Sequence, residues 1–429
     1  MELPLATTSA SPVHMSAARY YAIPPITVFR TYPISISAKT AEEYRAWLVE
    51  REPEVVKFDV GTLRTKEEWI AAGKAVFEWP ATIIPAGRNP LDTNRVVVRA
   101  KGTIEYGSAS CSSCHERHLD TGQIIPGAQL HLQRRWRSLR PSTGVIGQLN
   151  SDFATPWLAP DPNAILDSTS KTTIIGLLTR VPSVAPRFGS SHWSPAAMPD
   201  LIGIRDRKYL DRTGLVQQRG IGDLMRYAAL NLGIGNVALS SSYGGFVPNE
   251  HVPSPRTASR FSDEQLFALA LYLYSLEPPK NPNPFDAEAA QGQKIFQREG
   301  CVGCHPAPLY TNNKLTPAPS FRVPDEHKRK YDILPVSVGT DPWLAMKTRR
   351  GTGYYKVPSL RGVWYRGPFE HNGSVLTLED WLDPNRLRED YVPTGWLGPN
   401  ETRAVKGHEF GLQLKPLEKR ALIAFLKTL

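Results

Sequence analysis

Cys111-Ser112-Ser113-Cys114-His115 and Cys301-Val302-Gly303-Cys304-His305 are two C-x-x-C-H pentapeptides, and together they use every cysteine in the chain. This spacing is the signature of c-type haem attachment. Two thiols add across the vinyl groups of one porphyrin, and the histidine next in the chain swings beneath the ring to bind the iron. A single copy would fit a redox dithiol or half of a zinc site equally well. A zinc site wants two further Cys or His ligands at short spacing around each pair, and nothing suitable follows residue 301. Two covalent haems are therefore expected, on Cys111 and Cys114 and on Cys301 and Cys304, with His115 and His305 as iron ligands.

The two motifs sit in equivalent contexts. Before the second, Asp286–Glu299 reads as a helix with Asp286 as N-cap, Ala290, Ile295 and Phe296 on one apolar side, and Gly300 as the stop. Before the first, Lys66–Trp79 is its counterpart, with Pro80 as breaker. Residues 80–110 then form an insertion, a loop or a hairpin using Arg95–Arg99. Each half also closes with a helix. Ser262-Asp-Glu-Gln265 is a capping box ahead of Leu266, Leu269, Leu273 and Leu276. The last helix spans about Pro416–Thr428, with Leu417, Ala421, Leu422, Phe425 and Leu426 inward and Pro416 in the first turn.

Between these halves, Glu277-Pro-Pro-Lys-Asn-Pro-Asn-Pro284 is a stiff segment that cannot continue a helix. The expected organisation is an N-terminal arm (1–60, with a helix over Thr40–Arg51), a first haem domain (61–276), a linker (277–286) and a second haem domain (287–429). The fold class is mainly α: two pseudo-duplicated cytochrome c-like domains with long loops.

A length of 429 residues accommodates two such cores, and 41% apolar residues with 21% charged is a soluble composition. No run approaches the roughly eighteen apolar residues that span a bilayer, so the chain is expected not to be transmembrane. With 38 prolines and 32 glycines, much of the backbone is expected to be loop. Haem attachment takes place outside the bacterial cytoplasm, so a periplasmic or exported location is expected. Residues 1–30 lack a basic segment followed by an apolar one, which implies that a signal was removed or begins upstream. The net charge of +10 suits a small acidic redox protein as electron donor or acceptor, or simply a solvated basic surface. No basic-aromatic module points to nucleic acid.

Helix, C-x-x-C-H, long loop, then Val357-Pro-Ser-Leu-Arg-Gly362 and Gly367-Pro-Phe-Glu-His-Asn-Gly-Ser-Val-Leu-Thr-Leu-Glu-Asp380 is an order that resembles the bacterial di-haem cytochrome c peroxidase superfamily. That superfamily also includes the di-haem enzyme that matures the methylamine dehydrogenase cofactor, and the di-haem rubber oxygenases. The likeness is specific over residues 287–429, including Gly407-His-Glu-Phe-Gly411 and the ending Phe425-Leu-Lys-Thr-Leu429, where the oxygenase-like branch is nearest. In the first half, Pro199-Asp-Leu-Ile-Gly203, Tyr209-Leu-Asp-Arg212 and Asp223-Leu-Met-Arg-Tyr-Ala228 resemble the family loosely.

The resemblance implies two haem domains face to face, one iron six-coordinate for electron transfer and the other able to open for chemistry. Peroxidases place a methionine on the second haem shortly before the last helix. This chain has none after Met346, and the matching stretch offers His408, with His371 and Met346 as rivals. For the first haem, the resemblance places a removable ligand at His131, sixteen positions after His115; an open site with His131 outside it is the competing arrangement. The family's relay tryptophan is replaced within Tyr209-Leu210-Asp211-Arg212, and its glutamine and catalytic glutamate fall near Tyr227 and Val237. Without that carboxylate, which moves a proton between the peroxide oxygens, peroxide turnover is expected to be slow; Tyr209 or Tyr227 could substitute as a redox-active or hydrogen-bonding group, the alternative being that both simply pack against porphyrin. The resemblance also admits a calcium ion between the haems, although no dense carboxylate loop marks one.

Two functions fit these residues. One is a peroxidase-like or oxygenase-like oxidoreductase acting on a small-molecule oxidant, with chemistry at the first haem and electrons delivered through the second. The other is a non-enzymatic electron carrier with both irons six-coordinate.

Overall fold

The structure, a computed structural model, describes residues 25–33, 41–80, 82–85, 93–108, 110–119, 121–129, 183–184, 196–232, 261–347, 351–395 and 405–429. Helices dominate these residues, accompanied by small sheets. The principal helices are α1 (Ala41–Val49), α2 (Lys66–Glu78), α3 (Ile221–Leu232), α4 (Asp263–Tyr274), α5 (Ala287–Arg298) and α6 (Pro416–Lys427). No helix among the described residues is long and apolar enough to cross a membrane.

Side chains at the starts of these helices satisfy backbone N–H groups that have no partner within the helix. Thr65 Oγ1 accepts from Glu68 N at 3.2 Å while Glu68 Oε2 accepts from Thr65 N at 2.9 Å, a reciprocal capping box. Ser262 and Gln265 repeat the arrangement at α4, and Asp286 caps α5 through Ala289 N at 2.9 Å. On α4 the stripe Leu266, Leu269 and Leu273 is buried as expected. On α6 the buried set is Ala421, Leu422, Ile423, Phe425 and Leu426, whereas Leu417 is 68% exposed. Leu417 lies one turn before the point where α5 crosses, so its neighbour helix no longer covers it.

The region between α2 and the first motif is a sheet. Strands β1 (Thr31–Pro33), β2 (Thr82–Pro85), β3 (Thr93–Ala100) and β4 (Thr103–Ser108) pair antiparallel in the order β1-β3-β4-β2. The hairpin β3–β4 was expected; its recruitment of two flanking strands was not. Gly102 makes the hairpin turn with φ +82°, where a side chain would be strained. Buried Arg95 fastens the sheet to the end of α2, 2.6 Å from Glu78 and donating to Thr31 Oγ1 at 3.0 Å. The N-terminal arm thus packs on the first half: β1 pairs with β3, Val28 is fully buried in the α2–α4 core, and Gln265 donates to the Ile26 carbonyl.

Two helix crossings have the same design. At Gly73 in α2, a Cβ would collide with the Ala268 carbonyl of α4, and at Gly292 in α5 a Cβ would collide with the Ala421 carbonyl of α6. One turn further, Phe77 meets Tyr272 with ring centroids 5.2 Å apart, and Phe296 meets Phe425 at 5.3 Å. The glycines let backbones touch, and the aromatic pairs fill the space where the helices diverge. Separate cores build outward from the two crossings.

Residues 276–286 carry neither helix nor strand, and the segments on either side of them are laced together. Thr352 Oγ1 donates to the Thr213 carbonyl at 2.7 Å, Lys356 N to the Arg212 carbonyl at 2.9 Å, and Ala197 N to the His371 carbonyl at 2.7 Å. Arg117 Nη1 and Gln129 Nε2 donate to the carbonyls of Gly367 and Pro368. These bonds hold the turn Gly367–Gly373, in which Glu370 adopts φ +67°. Non-glycine residues rarely hold that conformation, and it persists where the surroundings over-determine it.

Replacing Gly73 or Gly292 by alanine should destabilise the fold by about 1–3 kcal/mol each, because overpacking at the crossing outweighs the gain in helix propensity. Urea unfolding of both variants, with Gly220→Ala at a position open to solvent as control, measures it. Equal midpoints in all three would refute the crossing argument.

Candidate functional site

The first motif is one helical turn, Cys111–Cys114, started by Ser110, which accepts from Ser113 N at 3.1 Å while Ser113 Oγ accepts from Ser110 N at 2.9 Å. The second is a 3₁₀ turn, Cys301–Gly303, started by Gly300 at φ +74°. Both turns close the same way: His115 N donates to the Cys111 carbonyl at 2.9 Å and His305 N to the Cys301 carbonyl at 2.8 Å. The four cysteines are free of disulfides and half-buried. Burial and nearby Glu299 push the Cys301 thiol up to about 11, and burial raises Cys304. A redox dithiol needs a lowered thiol pKa, so this pair is not built as one.

Both histidines are held by one ring nitrogen. His115 Nδ1 lies 2.8 Å from the Pro199 carbonyl and His305 Nδ1 3.0 Å from the Tyr310 carbonyl. A carbonyl can only accept, so each Nδ1 carries the proton and each Nε2 keeps its lone pair. That is the tautomer and anchoring that a metal-bound imidazole requires. Burial lowers the pKa of His305 and keeps it neutral.

His408 follows Gly407, whose φ is +62° and where a Cβ would collide with Glu370 and Trp381. Trp381 meets the His408 ring edge-on with centroids 5.1 Å apart, and Phe410 lies at 5.3 Å. Burial, then the nearby His305 and the positive charge of Arg386, lower the His408 pKa to about 3. The ring is thus neutral and within electrostatic reach of His305. Its Nδ1 is buried with no hydrogen-bond partner among the described residues. An unpaired buried nitrogen on a neutral imidazole is expensive and fits a metal-binding side chain. Fully buried Arg386 braces this loop: it stacks over Trp381 at 4.2 Å and donates to the carbonyls of Trp381 and His408. Glu370 sits against the same loop, raised to about 8 by burial against the opposing charges of Arg386 and Arg212.

The rivals are otherwise engaged. His371 Nε2 is 3.9 Å from Asp341 Oδ2 and its ring stacks on Tyr355 at 5.9 Å. Met346 packs beside Ala318, Leu344 and Ala345. In the first half, His118 is exposed and 3.2 Å from Glu116. His131 and Val237 lie outside the described residues. Tyr227 packs on the α2–α4 core. Tyr209 is almost wholly buried at the junction of the halves, beside Tyr331 and Tyr354, with its hydroxyl unpartnered among the described residues and raised to about 12 by burial. No group of three or more His, Cys, Asp or Glu able to hold a metal ion occurs among the described residues.

A family model described as RoxA-like, cytochrome c-like matches residues 353–392, the stretch containing the Glu370 turn and Arg386. The cytochrome-c peroxidase IdrP1 of Pseudomonas sp. (strain SCT) is 27% identical over 167 residues, covering 34% of this chain and 41% of that protein. The methylamine utilization protein MauG of Methylorubrum extorquens is 24% identical over 386 residues, covering 86% of this chain and 87% of that protein. These relatives are di-haem cytochrome c peroxidases and MauG, the group that the sequence resembles. The chain's matches to the IdrP1 proteins span less than half of their length. A solved variant of the diheme peroxidase BthA from Burkholderia thailandensis aligns over 87% of this chain and 89% of its own, with 18% identity and a TM-score of 0.35. The relatives are c-type haem oxidoreductases.

Sequence reasoning missed Arg386, Glu370 and the two carbonyl anchors. Pro199 had a weak signal, because it opens a segment resembling the superfamily; Arg386 in Asp383-Pro-Asn-Arg386 had none. Arg386→Leu should cost about 3–5 kcal/mol, since it strips two buried carbonyls of their donor and leaves Glu370 without its nearest cation. Arg386→Lys should not rescue it, because an ammonium cannot reproduce the planar fork and stacking. Thermal unfolding of both proteins checks this, and a lysine variant as stable as the parent would contradict it.

Proposed function

We propose that this protein is a di-haem c-type oxidoreductase built from two pseudo-duplicated cytochrome c-like domains, residues 61–276 and 287–429, joined by 277–286. Cys111 and Cys114 carry one haem and Cys301 and Cys304 the other, with His115 and His305 as proximal ligands. His408 is the second ligand of the second haem, which serves electron transfer. Chemistry takes place at the first haem, on the face opposite His115, with His131 as a displaceable ligand and Tyr209 beside the path between the haems.

The observation that carries this reading is an asymmetry between two equal turns. Each motif presents an imidazole with Nδ1 anchored on a carbonyl, and His305 has a second neutral, buried imidazole, His408, within electrostatic reach. An iron with two imidazoles has no vacancy for peroxide or oxygen. A c-type haem supplies a redox-active iron that binds small oxidants wherever a coordination position is free. The protein's part is to orient both proximal rings, to keep His305 neutral, to fix His408 through Arg386, and to present buried tyrosines where the halves meet. The net charge of +10 favours a small acidic protein as electron donor or acceptor. Covalent haem attachment implies a periplasmic or exported location. Calcium has no carboxylate site among the described residues to support it.

Protein matured with an export signal should retain haem through denaturing electrophoresis and give a pyridine haemochrome of two haems per chain. Replacing Cys301 and Cys304 together should remove one. A wild-type protein carrying fewer than two covalent haems would overturn the reading.

Low-temperature EPR should then show His408→Ala converting one low-spin signal to high-spin while His371→Ala leaves it. The reverse pattern would move the distal ligand to the Phe369–Gly373 turn. His131→Gly should raise cyanide binding at one haem, and peroxide reactivity should be slow in the parent. Should neither iron bind an exogenous ligand in any redox state, the protein is an electron carrier.

A further inference from the structure

Tyr354 is fully buried, and its hydroxyl has a base within reach. His327 Nδ1 lies 3.0 Å from Tyr354 Oη, and the imidazole is itself only 6% exposed. The two rings pack with centroids 5.9 Å apart, Phe321 meets Tyr354 edge-on at 5.0 Å, and Tyr331 meets His327 at 5.4 Å. Burial lowers the His327 pKa, so the ring is neutral, and burial raises that of Tyr354, so the phenol keeps its proton. A phenol is a far stronger acid than a neutral imidazole N–H, so Tyr354 donates and Nδ1 accepts. Other tyrosines are placed differently. Tyr44 donates to the Pro33 carbonyl and Tyr274 to the side-chain oxygen of Gln218, and neither oxygen takes up a proton near neutral pH. The Tyr209 hydroxyl, in the same cluster as Tyr354, has no hydrogen-bond partner among the described residues.

That difference decides which phenol can be oxidised. A phenol radical cation is a very strong acid, and a buried charge is costly. A buried tyrosine therefore gives up an electron only where a neighbouring base takes its proton. Tyr354 is also connected to the second motif. His305 gives Nδ1–H to the Tyr310 carbonyl, Thr311 donates to the Val357 carbonyl at 2.7 Å, and Val357 lies three residues beyond Tyr354. Three residues reach at most about 11 Å of extended chain. On the other side, His327 belongs to the short helix Asp325–Lys330, whose other residues are exposed.

We propose that Tyr354 and His327 form a proton-coupled relay that carries single electrons between the second haem and the protein surface. This rests on the two-haem reading, and the oxidant is the haem pair after two-electron oxidation by peroxide. Tyr354 gives one electron to that oxidised centre. Its O–H bond breaks and the proton forms an N–H bond at His327 Nδ1. The products are a neutral phenoxyl radical, an imidazolium and a centre reduced by one electron. A one-electron reductant at the surface reverses the change: the phenoxyl takes an electron and recovers its proton from His327.

The test uses the holoprotein, with haem content counted first. Fewer than two covalent haems ends the two-haem reading itself. The oxidised protein is mixed with hydrogen peroxide and frozen within milliseconds for EPR. A tyrosyl radical, identified by ring-deuterated tyrosine, should form in the parent and in Tyr274→Phe and be lost from Tyr354→Phe. His327→Phe should slow its formation by roughly 10²-fold, the contribution of a positioned base. A radical that persists in Tyr354→Phe, or forms equally fast in His327→Phe, would overturn the proposal. Should either variant fail to fold, the parent labelled with ¹⁵N-histidine decides. Electron–nuclear double resonance that couples the radical to an imidazole nitrogen supports the pair, and a radical without that coupling overturns it. A two-haem parent that ignores peroxide fails the peroxidase-like reading, and the relay is then tested apart from it. Photogenerated tris(bipyridine)ruthenium(III) supplies the oxidant, and a radical lost only with Tyr354 supports the relay, whereas one independent of Tyr354 sinks it.

Discussion

An imidazole binds a metal through the lone pair of one nitrogen, and a hydrogen bond at the other fixes which nitrogen that is and how the ring points. Both proximal candidates engage one nitrogen by giving Nδ1–H to a peptide carbonyl, but the carbonyls come from different distances. His305 uses Tyr310, within its own loop, so the second motif orients its ring with local chain. His115 uses Pro199, 84 residues away. Its orientation therefore depends on how residues 196–203 are seated, and those residues are tied to the second half through Ala197 and Arg366. The first site is assembled by the junction between the halves, whereas the second assembles itself.

The same contrast appears in the chain just beyond each glycine crossing. In the second half, α5 ends at Arg298 and the chain passes through left-handed Gly300 straight into Cys301. In the first half, the sheet β2–β4 intervenes between α2 and Cys111, fastened back by Arg95. Identical crossings thus support motifs of different surroundings. An inserted sheet and a distant carbonyl give the first site more independent parts, which suits the proposal that coordination changes there.

Much of this was legible from local pattern. C-x-x-C-H is readable because thioether chemistry dictates spacing, and the capping boxes at Thr65 and Ser262 are readable because their partners lie three residues away. Leu417 shows the limit: periodicity placed it inward, but whether a neighbouring helix extends far enough to cover it is a tertiary fact. The sheet order was illegible for the same reason, since β1 reaches β3 across more than sixty residues. Gly73 and Gly292 were visible as helix glycines, yet their meaning emerges only when each is seen against a carbonyl of another helix. Pro199 and Arg386 act through backbone carbonyls, which carry no mark in the sequence.

Charge gives the last link between architecture and chemistry. A buried guanidinium with a carboxyl nearby is a poor way to gain stability, because desolvation consumes most of the Coulomb attraction. Arg386 nevertheless sits wholly buried, committing Nε to the Trp381 carbonyl, Nη2 to the His408 carbonyl and its face to the Trp381 ring. That arrangement secures position: the backbone of His408 cannot rotate without breaking a charge-assisted bond. The positive charge also disfavours protonation of the His408 ring, so the same residue fixes the imidazole and keeps its lone pair available. As the proposed iron ligand, a side chain held this way would stay in place. On the proposed reading, this is why the second iron is committed to electron transfer, and why exchange of ligands, if the protein is to perform chemistry, is left to the first.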